Sequence, residues 1–220
     1  GVTIEHFGVM REVMMEGKTE GRIALADYEK PGFYGVGALA GLEGEVFIEN
    51  GHVTVAKESA TRPQSGAGEQ HATLLTVARV QEWREVPLPD GHDLETIERA
   101  IAAAIPESMD EGAAPVPFQL QGGFLELKLH VVRGACSHAA TSPETEPDRW
   151  SCPAAGGAVG SVVGFFAPGR AGVMTHHGTA IHAHALARPY DRGDSNLGFV
   201  TGHVDSLCFG PGTQLFVPAR

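Results

Sequence analysis

Cysteine is scarce. Cys136, Cys152 and Cys208 are scattered through 220 residues, too few for a disulfide framework. Cys136 and Cys152 could close one loop, but free thiols in a reducing compartment are the plainer reading. Basic residues are also short. Sixteen Lys and Arg stand against twenty-seven Asp and Glu, for a formal net charge of −11. A surface of that sign repels nucleic acid and anionic membranes. No apolar run reaches the ~18 residues that read as a bilayer span. A phosphate loop is missing too. Gly35, Gly37 and Gly41 have the wrong spacing, and no Lys-Ser or Lys-Thr pair follows them. Position 1 is Gly rather than Met. A cytoplasmic location is expected, with a secreted or periplasmic one left open by that start.

What is present suits a packed domain. Hydrophobic residues make up 42% of the chain, enough to exclude global disorder. One domain over 1–220 is expected, with a possible division at the Pro- and acid-rich stretch 106–117. Phe7, Met10, Val13 and Met14 form a helical stripe that Gly17 ends. Asn50-Gly51 between two β-rich runs reads as a type I′ hairpin, which places Glu45 at the start of a strand. Asp93 to Ile105 is the clearest helix, capped by Asp93 and stopped by Pro106. Residues 118–132 alternate with period 2 and read as two strands meeting near Gly122-Gly123. Residues 133–159 read as irregular. From Ser161 onward, short apolar runs separated by turns imply a sheet. The fold class is α+β: sheet-rich, a mixed β-sheet with one or two helices.

The strongest chemical signal is Thr179-Ala180-Ile181-His182-Ala183-His184-Ala185, with Gly202-His203-Val204 behind it. Residues i and i+2 of a strand share a face, so His182 and His184 can reach one ion. His203 on a neighbouring strand can add a third nitrogen. Three imidazoles with an open position describe a catalytic metal site better than a structural one. The ordinary alternative is a histidine pair on a half-polar strand. A cupin would place a Glu three or four residues on, where this chain has Ala187 and Arg188. His176-His177 read as surface or supporting residues before a turn. Asp191, Asp194 and Asp205 are candidates to orient the imidazoles. His138, near Cys136 and Cys152, matches no zinc-finger spacing.

The order Gly35-x-Gly37, Leu42-x-Gly44-Glu45, Lys128-x-x-Val131-Val132, Val163-Gly164-Phe165-x-x-Pro168, His182-x-His184 and Gly202-His203-Val204 resembles the α-acetolactate decarboxylase family. The likeness runs from about His6 to His203. It implies a zinc-dependent lyase that converts 2-acetolactate, a small hydroxy-keto acid, to acetoin and carbon dioxide. It also implies zinc, or another divalent transition metal, on His182, His184 and His203, and an active-site carboxyl at Glu45. A homodimer is expected. The chain departs from the family pattern at Ala38, where a Thr is usual. It departs again at Gln119, Gln121 and His130, where arginines are usual, and it ends at Arg220 without the family's Glu-bearing tail. Protonated His130, or else Arg133, is the candidate to meet the substrate's carboxylate in an arginine's place.

Overall fold

The computed structural model describes residues 1–57, 60, 62–134, 148–152, 157–176, 178–190 and 198–219. Cys136, His138, His177, Asp191 and Asp194, singled out above, lie outside the described residues.

The chain opens with strand β1 (Val2–Phe7) and helix α1 (Met10–Glu16). The expected helical stripe therefore starts at Met10 rather than Phe7, because Gly8 (φ 81°) turns the chain between them. Gly17 (φ 69°) ends the helix as read. Strands β2 (Ile23–Ala24), β3 (Phe33–Leu39), β4 (Glu45–Glu49), β5 (His52–Ala56), β6 (Gln64–Ser65) and β7 (His71–Val80) follow. They form a first sheet in the order β1-β7-β3-β4-β5-β6, with β2 beside β7. Asn50 (φ 48°) and Gly51 (φ 78°) make the expected hairpin turn between β4 and β5.

The second half supplies β8 (Trp83–Val86), helix α2 (Leu94–Ala104), β9 (Val116–Val131), β10 (Asp148–Cys152), β11 (Ala158–Phe166), β12 (Ile181–Pro189), β13 (Val200–Phe209) and β14 (Gln214–Pro218). Asp93 caps α2 by accepting the Thr96 backbone N–H at 3.0 Å. Two expectations are corrected here. Residues 116–131 are one 16-residue strand rather than two. Gly122 (φ 149°) bends it, but pairing continues through Gly122 with Gly160 and Gly123 with Val159. The stretch read as irregular contains β10, which pairs with β9. Because β9 pairs with β11 through its first half and β13 through its second, the strands β11-β12-β13-β9 close on themselves. Every ladder between the strands of the two sheets is antiparallel.

Strand alternation sorts the second sheet into two faces. Ile181, Ala183, Ala185 and Ala187 of β12 join Ile97, Ala100 and Ile101 of α2 in one apolar core. On the other face Val163 and Phe165 of β11 pack against Tyr34, Val36, Phe47, Ala78 and Val80 of the first sheet. The Ser161 hydroxyl donates to Glu49 Oε2 at 3.0 Å, a polar tie across the same junction. His182 and His184 alternate with the core alanines, so they point toward the first sheet.

Candidate metal centre

The site is assembled by strand register. Val163 on β11 lies opposite His184 on β12, and His184 lies opposite His203 on β13. His203 lies opposite His130 on β9, and His130 opposite Arg149 on β10. Cross-strand partners on one face stand ~5 Å apart, so antiparallel pairing brings distant residues into one row. His182 adds a third imidazole, two residues from His184 on the same face. Gly202 allows β13 to come close, since a Cβ there would sit 2.6 Å from the His130 carbonyl oxygen.

His182, His184 and His203 each offer a ring nitrogen within 4.8 Å of the other two. Nε2 of His184 and Nε2 of His182 are 3.3 Å apart. All three are buried, His184 completely. Burial holds them neutral, with His182 lowered to about 3 and His184 and His203 well below the usual imidazole range. Neutral imidazole is the form that binds metal. Nδ1 of His182 and of His184 is buried without a hydrogen bond of ordinary geometry. On the converging side the Nε2 atoms of His182 and His184 face each other. The donor set fits a metal ion: three neutral nitrogens, aimed inward, with no thiolate among them.

Glu45 approaches from the first sheet. Its Oε2 lies 3.5 Å from His184 Nε2, and its Oε1 accepts the Val132 N–H at 3.1 Å. Burial pushes its carboxyl up to about 7, against the lowering effects of the His130 charge and the Val132 N–H. His130 Nε2 stands 4.0 Å from Glu45 Oε1, and its Nδ1 is 2.7 Å from Asp205 Oδ1. Burial alone would lower His130. The Asp205 hydrogen bond and the Glu45 and Asp205 charges outweigh it, and the ring is raised above its ordinary value. Asp205 sits at a bulge in β13, where the register shifts between Val204 and Ser206. Its other oxygen pairs with Arg149 at 3.2 Å.

The structure thus brings all five sequence candidates together: Glu45, His130, His182, His184 and His203. Asp205 orients an imidazole as expected, but that of His130 rather than one of the triad. His176, read as a surface or supporting residue, stands with its ring centroid 4.9 Å from that of His203 and 6.3 Å from that of His182. Arg149 was not singled out. Nothing in the local sequence of a five-residue strand marks it, and only the β9–β10 register places it beside His130.

Three spaces meet here. The innermost, about 20 Å³, is walled by Met10, Met14, Glu45, His130, His182 and His203, among others. A second, about 230 Å³, lies toward Leu94, Thr179 and Asp205. The third, about 340 Å³, lies under helix α1. Among the described residues no helix is long and apolar enough to cross a membrane.

A family model described as alpha-acetolactate decarboxylase matches residues 7–205. No curated protein matches by sequence. Among solved structures, α-acetolactate decarboxylase from Bacillus subtilis strain 168 aligns at a TM-score of 0.73 and 16% identity, over 99% of this chain and 86% of that one. A Staphylococcus aureus protein of unknown function, similar to α-acetolactate decarboxylase, aligns at 0.72 and 16%, over 97% and 84%. At such identities the structural likeness establishes the fold. The family model spans most of the sequence and every residue of the triad, and on that match the chain belongs to the α-acetolactate decarboxylase family.

Proposed function

We propose that the protein is a zinc-dependent decarboxylase that converts 2-acetolactate to acetoin and carbon dioxide. The observation that carries this reading is the convergence of three neutral imidazoles beside a buried carboxyl whose proton is held near neutral pH. His182, His184 and His203 would hold the ion. Bound there, zinc supplies a Lewis acid for the hydroxyl and keto oxygens of the substrate.

The chain's own groups do the rest. Decarboxylation breaks the bond between the carboxylate carbon and C2. The electron pair left behind spreads onto the keto oxygen, and one proton must reach carbon. Glu45 is the group to deliver it. Its Oε1 is occupied by the Val132 N–H, so Oε2, on the His184 side, carries the mobile proton. A carboxyl raised to about 7 can give up and recover a proton at neutral pH. His130, fixed by Asp205, stands 4.0 Å from Glu45, where each group favours the charged form of the other. Met10, Met14 and Leu74 give the same cavity an apolar wall.

A second reading is a family member that binds metal but acts on another small oxygenated substrate, or on none. One observation favours it: the innermost space, about 20 Å³, has room for a water rather than a hydroxy-keto acid. Protein loaded with one equivalent of zinc, given racemic acetolactate and assayed for acetoin, separates the two. Acetoin formed at a rate proportional to enzyme supports decarboxylation. Loaded protein that yields none over the spontaneous background overturns it.

A further inference from the structure

A 2-hydroxy-3-keto acid that reaches the triad must place its carboxylate in one of the two larger spaces, because the innermost one cannot hold it. Their chemistry differs. In the space toward Leu94 and Thr179 the His130 imidazole on the wall is already committed to the Asp205 carboxylate, so it offers an anion no net positive charge. The space under helix α1 is lined by Met10, Arg11, Met14, Met15, Gly172, Thr175 and His176, with no acidic side chain. It shares Met10, Met14 and His176 with the innermost space, so the two adjoin. Among the described residues Arg11 is the single Lys or Arg on the walls of the three spaces.

Two groups in this space lack partners among the described residues. The Arg11 guanidinium makes no ion pair or side-chain hydrogen bond among the described residues. Arg149, the other arginine beside the site, is committed to Asp205. Thr175 is fully buried, and its Oγ1 has no hydrogen-bond partner. Buried hydroxyls are normally satisfied, so an orphan on a pocket wall is a position prepared for a ligand. Both are held in place by backbone. The N–H groups of Met10 and Arg11 donate to the carbonyls of Val173 and Gly172, at 3.0 and 2.8 Å. Gly172 N–H in turn donates to the Thr175 carbonyl at 2.8 Å. Helix α1 and the 170–175 loop are therefore one unit, and Arg11 and Thr175 both line the pocket.

We propose that this pocket is the carboxylate subsite. The Arg11 guanidinium and the Thr175 hydroxyl take the substrate's carboxylate, while its hydroxyl and keto oxygens face His182, His184 and His203. A planar guanidinium offers paired N–H donors that match a carboxylate. The methionines around it give the pocket an apolar wall. The inference rests on the decarboxylase reading for the identity of the substrate, but not for the chemistry of the pocket.

The test separates the two. Calorimetric titration of zinc-loaded protein with 2-hydroxy-2-methylpropanoate, which has the carboxylate and hydroxyl but no keto group, reads the subsite directly. Titration with acetoin, which has no carboxylate, is the control. Arg11→Gln should weaken the acid at least ~10-fold and Thr175→Val a few-fold, with acetoin unchanged, since a charged hydrogen bond is lost in the first and a neutral one in the second. Arg11→Lys should restore part of the loss. In turnover, Arg11→Gln should raise KM for acetolactate about 10-fold or more. Arg11 is exposed at the surface of α1, so the substitution does not threaten folding. Wild-type protein that fails to bind the acid, or Arg11→Gln that binds it as tightly, overturns the proposal. Arg11-dependent binding of the acid by protein that makes no acetoin would uphold the subsite and overturn the decarboxylase reading.

Discussion

Glu45 Oε2 lies 3.5 Å from His184 Nε2, although Glu45 belongs to β4 of the first sheet and His184 to β12 of the second. The carboxyl and the triad are thus brought together by the packing of the two sheets, and neither sheet alone contains the site. Glu45→Gln keeps the volume and an acceptor for the Val132 N–H but removes the transferable proton. Turnover of acetolactate should fall by about 10²-fold or more, the usual contribution of a positioned acid or base, while zinc content stays at one equivalent. Steady-state rates and elemental analysis of the same preparation check both halves. A variant with near wild-type turnover would assign the proton to another group.

Metal content should track the triad residue by residue. Protein prepared without added metal is expected to carry about one equivalent of a divalent transition metal, because three inward-facing imidazoles leave room for one ion. His182→Ala and His184→Ala should each lower this sharply. His130→Ala should lower it far less, since His130 lies outside the buried His182, His184 and His203 set. Inductively coupled plasma analysis after dialysis distinguishes these outcomes. Unchanged metal in both triad variants would place the ion elsewhere.

The core of this arrangement was legible in the sequence because it follows strand alternation. His182 and His184 had to share a face, and Gly202-His203-Val204 read as the strand beside them. Glu45 followed from the Asn50-Gly51 turn, which fixed where its strand begins. The remaining parts depend on long-range register and on irregular backbone. His176 follows a loop with no periodicity, so nothing local turns its ring toward His203. The pairing of Asp205 with His130 comes from a bulge and a neighbour 75 residues away. The Gly122-Gly123 pair looked like a turn because glycine breaks strands in general. Here Gly122 lies inside one long strand whose pairing with β11 continues through it.

The polar tie at the sheet junction should make stability depend on pH. Burial raises the Glu49 carboxyl above its ordinary range, more than the Ser161 hydroxyl and the His52 charge lower it. A carboxyl whose folded pKa is raised costs stability when ionised. The cost is absent below the unfolded value near ~4.3, grows as pH rises through the folded value, and is constant above it. Glu49→Gln, which still accepts from Ser161, should therefore raise the melting temperature at pH 8 and leave it unchanged at pH 4. Calorimetric scans at the two pH values decide it. Equal effects at both would mean the charge is not what matters.

Helix α2 depends on its first residue. Asp93 Oδ1 accepts both the backbone N–H and the hydroxyl of Thr96, at 3.0 and 2.8 Å. Asp93→Ala should cost about 1 kcal/mol, or roughly 2–4 °C in melting temperature for a chain of this size. Asp93→Asn should cost much less. Two variants with equal losses would indicate that charge, rather than the cap geometry, holds the helix end.

The glycine run before Glu45 makes the last prediction. Gly35 and Gly37 both lie on β3 against β7, and neither needs an unusual backbone angle. They differ in how closely the neighbouring strand approaches. A Cβ on Gly37 would sit 2.0 Å from the Leu74 carbonyl oxygen, whereas one on Gly35 would meet the Thr76 carbonyl oxygen at 3.0 Å and the Val77 side chain at 3.2 Å. The first is a collision with backbone that only strand displacement relieves. The second is a tight contact that small shifts relieve. Gly37 also lines the innermost space, and the residue after it, Ala38, pairs with Glu45. Displacing β3 there moves the strand that carries the carboxyl. Gly37→Ala should therefore lose roughly 1–3 kcal/mol, the usual cost of overpacking, and also lose turnover. Gly35→Ala should lose less stability and little activity. Thermal melts and acetoin rates on the two variants test the ordering. If Gly35→Ala proves the more damaging, close approach of β7 is not what requires the glycines.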